Sequence, residues 1–143
     1  MLSDKIKNFC KSKNWWYEEF TQQYSNVILD LEISLDSDFA QFYLHAEQGP
    51  TFYSRKKELY QICWSSINSS YMDQINHLQK VLAIPHEYIP LDSFEGEGGF
   101  FYNRKTEEVI EIALGEKLKD FLDGKLLPQW KTINSFLEWY FEL

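Results

Sequence analysis

The chain has 143 residues, 44% apolar and 17% aromatic, which is material for one domain with a buried core. Its formal net charge of −8 argues against direct nucleic-acid binding, because phosphates need Lys and Arg. The longest unbroken apolar run is only a few residues, far below the ~20 that span a bilayer. The charged start MLSDKIKNFCKSKNWW differs from a signal peptide, so a soluble cytoplasmic protein is expected.

Leu2, Ile6, Phe9 and Cys10 fall at i, i+4, i+7 and i+8, one face of a first helix. Trp16, Phe20 and Tyr24 predict a second. The aromatics of this region, Trp15 and Tyr17 included, either cover the core or leave Trp15 and Tyr17 as an exposed docking surface. Asp36 or Ser37 caps a helix whose Phe39, Phe42, Tyr43 and Ala46 share a face, and Gly49-Pro50 stops it. Aromatics and Ile then cluster around the charged turn Arg55, Lys56, Lys57, which predicts strands over Thr51 to Ser54 and Glu58 to Trp64. Ser70 or Asp73 opens a helix through Ile75, Leu78 and Leu82, ended by Pro85.

The segment YIPLDSFEGEGGFFYNRKTEEVIEI carries the strongest signal. Tyr88 to Leu91, Gly99 to Tyr102 and Val109 to Ile112 are short apolar runs bounded by Gly, Pro, Asp or Asn, which predicts three antiparallel strands around an acidic, glycine-rich turn. Residues 87 to 116 hold eight acidic and only two basic side chains, so most of the chain's excess negative charge lies there. The glycines Gly96, Gly98 and Gly99 are those of a tight turn or bulge that needs positive φ. Gly115 to Gly124 reads as a short helix. Ile133, Phe136, Leu137 and Tyr140 form one face of a closing helix, capped by Thr132 and packed across the sheet, with Trp130 and Trp139 either anchoring that packing or facing outward.

Chemistry-bearing patterns are few. Cys10 and Cys63 are isolated thiols expected to stay reduced, and His45, His77 and His86 have no partner at a metal-ligand spacing. Asp92, Glu95 and Glu97 are the only starting point for an enzyme or a cation site, but DxxExE does not complete a calcium loop. Nor does the glycine run have the Lys-Ser/Thr of a phosphate-binding loop. No catalytic residue, metal or cofactor is assigned.

The order DFAQFYLHAEQG, TFYSRKKELYQIC, an intervening helix, YIPLDSFEGEGGFFYNRKTEEVIEI and a closing SFLEWYFEL resembles the SUKH superfamily. That group takes in fungal cell-wall-synthesis regulators of the Smi/Knr type and many bacterial immunity proteins. The resemblance covers residues 27 to 143 of a single domain spanning 1 to 143, with 1 to 26 as an N-terminal helical extension. Where the family's first conserved helix opens on Leu-Pro, this chain has Leu35-Asp36. The resemblance implies an α+β fold, a central antiparallel sheet backed by N- and C-terminal helices, and no catalysis.

A non-enzymatic binding protein follows as the leading expectation: an immunity or inhibitor protein for a toxin, such as a nuclease, whose basic groove meets an acidic surface. Asp92, Glu95, Glu97, Glu107 and Glu108 are the candidates for electrostatic complementarity, with Phe94 and Phe100 as apolar anchors. A regulatory scaffold of Smi/Knr type uses the same surfaces. The bland alternative is that the acids only keep the chain soluble.

Overall fold

Four side-chain caps set where helices begin. Thr21 accepts from Tyr24 N–H and opens α2 (Gln22–Asp30), Ser37 accepts from Ala40 N–H and opens α3 (Asp38–His45), and Gln61 accepts from Cys63 and Trp64 N–H and opens α4 (Ile62–Asn68). Thr132 and Ser135 bond reciprocally and open α7 (Ile133–Tyr140). The computed structural model, which describes residues 1–143, adds α1 (Asp4–Ser12), α5 (Tyr71–Leu82) and α6 (Glu116–Leu122). Its strands are β1 (Thr51–Ser54), β2 (Lys57–Tyr60), β3 (Tyr88–Pro90), β4 (Gly98–Asn103) and β5 (Val109–Ala113). The chain is an α+β domain. No helix is long and apolar enough to cross a membrane.

The strands form two small antiparallel sheets, β1-β2 and β3-β4-β5, where the sequence suggested one central sheet. They meet through a single backbone bond, Tyr60 N–H to the Leu91 carbonyl at 2.9 Å. In the three-stranded sheet Ile89 pairs with Tyr102, Phe101 with Ile110 and Gly99 with Ile112. Both faces are covered, so the period-2 alternation sends β4 side chains into two apolar clusters. Phe100 enters the larger one against Trp130, Phe136 and Trp139, at ring-centroid distances of 5.7, 5.0 and 5.8 Å. Phe101 enters a smaller one with Leu78, Leu82, Ile84, Ile110 and Ile112, flanked by Phe94, Leu118 and Phe121. Of the two placements open to Trp130 and Trp139, the structure has the inward one: with Phe136 of α7 they pack on Phe100 of the sheet.

The β1-β2 hairpin turns on Arg55 and Lys56, both with positive φ (53° and 59°), the two-residue turn whose twist matches its strands. Arg55 is held there because its Nε donates to the Trp139 carbonyl at 2.7 Å and its guanidinium lies 4.3 Å over the Trp139 ring. From the other side Tyr140 Oη bonds the Phe52 and Lys57 carbonyls. The closing helix thus fixes the hairpin.

Three expectations are corrected. The strand placed over Glu58 to Trp64 ends at Tyr60, and α4 follows, because the Gln61 side chain satisfies two N–H groups of a helix first turn. Trp16 to Tyr24 does not form one helix, since α2 begins only at Gln22: Trp16 bridges Ala46, Tyr17 N–H donates to the His45 carbonyl, and Glu47 N–H donates to the Trp15 carbonyl. Extended pairing has taken the backbone groups a helix would use. α3 stops at His45 rather than at Gly49, since Ala46 is already extended and engaged in that bridge. Trp15 packs against Phe9, Phe52 and Phe141 inside the fold, while Tyr17 is exposed.

Candidate partner-binding cleft

The acidic turn is built from Asp92 outward. Asp92 is only 7% exposed, and its Oδ1 accepts from Phe94 N–H at 3.1 Å, closing a side-chain turn that lets the chain reverse. Phe94 (φ 58°), Gly96 (φ 67°) and Glu97 (φ 67°) all adopt left-handed backbone, two of them without glycine's freedom. That conformation is held at both ends: the Phe94 ring packs on Phe101 at 5.8 Å, and the Glu97 carbonyl accepts Leu114 N–H at 2.8 Å. Glu95 and Glu97 project into solvent from one fixed 3₁₀ turn.

Only one of the three glycines serves the conformation expected of it. Gly96 supplies positive φ, Gly98 is extended at φ −158°, and Gly99 is needed for space. A Cβ at Gly99 would run into the Asp92 carboxylate and meet Phe94 Cδ2 at 3.1 Å. Burial pushes the Asp92 carboxyl up to about 6, against the opposing pull of the Phe94 and Phe100 N–H groups and of Lys57.

This turn forms one wall of a cleft of about 660 Å³, and the β1-β2 hairpin forms the other. Alternation along the hairpin explains its lining: Phe52 and Leu59 point into the core, so Tyr53, Glu58 and Tyr60 point into the cleft opposite Asp92 and Glu95. Tyr60 is fixed by its hydroxyl, which donates to Gln74 Oε1 at 2.6 Å, and Tyr53 is 60% exposed. Lys56 and Lys57 also line the cleft. The Lys57 ammonium is engaged elsewhere, 4.9 Å over the Phe100 ring and 3.4 Å from Glu111, which Lys117 approaches at 3.2 Å.

The structure divides the acids that the sequence grouped together. Glu95 and Glu97 lie at the Gly98 end of β4, whereas Glu107 and Glu108 lie past its Asn103 end, about 17 Å away along five residue steps. Asn103 organises that far turn, with Oδ1 accepting Lys105 and Thr106 N–H, and Lys105 lies 3.6 Å from Glu87. Two further candidates are corrected. Phe100 is fully buried beneath Trp130 and Trp139, so it offers no surface to a partner, and Asp92 acts inside the turn instead of presenting a charge. Phe94 is half-buried and serves as a prop for the turn.

Sequence reasoning missed the hairpin wall, Tyr53, Glu58 and Tyr60. Their alternation with Phe52 and Leu59 was visible, but the turn they would face was not. Both thiols are buried, and burial pushes each up to about 12, so neither is a thiolate nucleophile near neutrality. No group of three His, Cys, Asp or Glu side chains is placed to hold a metal ion. Compared with protein-family models, curated proteins and solved structures, the chain matches none.

Proposed function

We propose that this chain is a non-enzymatic protein-binding domain of the SUKH type, an immunity or inhibitor protein that receives a basic element of a toxin domain at the cleft. The observation that supports this reading most is the pairing of a pre-set acidic turn with an aromatic wall. Glu95 and Glu97 are exposed on a turn whose backbone is bonded at both ends, so only their side chains, and not the turn, have freedom to lose when a Lys or Arg approaches. Tyr53 and Tyr60 across the cleft give the apolar contact and ring faces that charge alone does not supply. The net charge of −8 steers a basic partner toward the surface and accelerates encounter. A nuclease, which carries a positive groove for phosphates, has the complementary chemistry.

The test is affinity capture with the tagged chain from its native lysate across a salt series, with captured proteins identified by mass spectrometry. A basic toxin domain retained at low salt and released as salt rises is expected. Capture restricted to biosynthetic or regulatory proteins, or a toxin held equally at all salt concentrations, contradicts the reading.

A further inference from the structure

A second pocket, of about 260 Å³, opens where residues 17 to 24 run past the end of α3. Its walls are aromatic. Tyr17 is 55% exposed and Phe20 45%, and Phe20 meets the His45 ring edge to face at 5.4 Å. His45 is in turn stacked on Trp16 at 5.0 Å, and its Nδ1 donates to the Tyr17 carbonyl at 2.7 Å, an acceptor-only partner that fixes the proton on that nitrogen.

The polar part of the lining is acidic. Glu19 and Glu47 both line the pocket, no Lys or Arg does, and neither carboxylate takes part in any of the chain's ion pairs. Glu47 is half-buried; its Oε1 accepts the Tyr24 hydroxyl at 2.5 Å, which leaves the second oxygen free. Burial and the Glu47 contact push the Tyr24 hydroxyl far up, so it stays a donor to Glu47. The floor is the end of α3, Leu44 and His45, with Ala46 just past it; the Tyr43, His45 and Ala46 carbonyls there already accept from Gln61 and Tyr17. Aromatic walls and carboxylates with no cationic partner both favour a cation.

We propose that this pocket binds the guanidinium group of an arginine side chain on a partner protein. A guanidinium stacks flat on aromatic rings and donates in-plane to a carboxylate, so it uses both halves of the lining. A quaternary ammonium has no N–H for Glu47, Thr21 or Gln23 and uses only the rings. The proposal stands on its own geometry and does not depend on the acidic turn, which lies in a different part of the fold.

The test is a ¹H–¹⁵N NMR titration of the full chain with N-acetyl-arginine amide at low salt, with N-acetyl-citrulline amide as the uncharged isostere and tetramethylammonium as the cation without donors. The expected result is saturable shifts, with affinity on the order of millimolar for so small a probe, confined to Tyr17, Phe20, Thr21, Tyr24, His45 and Glu47. Glu47→Gln keeps an acceptor for the Tyr24 hydroxyl while removing the charge, and Phe20→Ala alters an exposed ring. Each is expected to weaken the probe by about three- to tenfold with the remaining spectrum unchanged. Shifts absent, centred on Glu95 and Glu97, equal with the citrulline amide, or unchanged in Glu47→Gln overturn the proposal. Equal binding of tetramethylammonium overturns the guanidinium assignment.

Discussion

Gln61→Leu is expected to be among the most damaging single substitutions in this chain, although it replaces a polar side chain by an apolar one of similar size in the core. Gln61 is fully buried and uses its whole amide: Nε2 donates to the Tyr43 and Ala46 carbonyls, both at 2.8 Å, and Oε1 accepts Cys63 N–H at 2.8 Å and Trp64 N–H at 3.2 Å. One side chain therefore closes the end of α3 and the start of α4. Leucine strands two carbonyls and two N–H groups. At about 1 kcal/mol for each lost bond, with part of the desolvation penalty added and the apolar gain of leucine subtracted, the cost comes to about 3 to 5 kcal/mol. The assay is urea unfolding followed by tryptophan fluorescence. With a slope of about 2 kcal/mol per molar, the midpoint falls by about 2 M, against a total stability on the order of 10 kcal/mol. A fall below about 0.5 M would refute the view that Gln61 joins these helices.

Asp92→Asn is expected to change stability in a pH-dependent way. The folded carboxyl titrates at about 6, above the ~3.9 of an unfolded Asp, so the native state prefers the proton. That preference contributes stability fully below about pH 4 and is lost as pH rises through 6. The substituted amide stays neutral at every pH and its oxygen still accepts from Phe94 N–H, but its NH2 cannot accept from Phe100 N–H; the variant therefore gains about 1 kcal/mol over the parent at pH 7.5 and is the less stable of the two at pH 4. Urea unfolding at the two pH values checks the difference, and a variant less stable than the parent at pH 7.5 is the contrary result. Gly99→Ala is expected to cost about 2 kcal/mol through its collision with Asp92, and Asp92→Ala should recover part of that loss in a double-mutant cycle. Strictly additive effects would disprove the collision. Thr132→Ala removes the side-chain cap of α7 and should lower stability by about 1 kcal/mol in the same assay; an unchanged midpoint would mean that the cap is redundant.

What the sequence revealed depended on whether a signal was local. β3, β4 and β5 were placed to within a residue at each end, because each is a short apolar run with turn residues at both ends. Ser37 and Thr132 were readable as caps for the same reason. α4 was not, because its cap is a glutamine whose two other bonds reach α3, and glutamine carries no such meaning by itself. The Trp16 to Tyr24 periodicity misled because the edge formed by Ala46 and Glu47 captured the backbone at its start. At the site, Glu95 and Glu97 were legible as exposed charge, yet the separation of Glu107 and Glu108 is set by strand length. The burial of Phe100 is set by α7, which is distant in sequence.

The division of acids between the two ends of β4 offers the most direct test of the binding account. Glu95→Lys/Glu97→Lys and Glu107→Lys/Glu108→Lys change net charge equally, so only location distinguishes them. Association rates with the captured partner, measured by surface plasmon resonance at several salt concentrations, are expected to fall at least about tenfold for the first pair at low salt and far less for the second. Equal losses for both pairs would mean that only net charge matters, and an unchanged rate for the Glu95/Glu97 pair would contradict binding at this cleft.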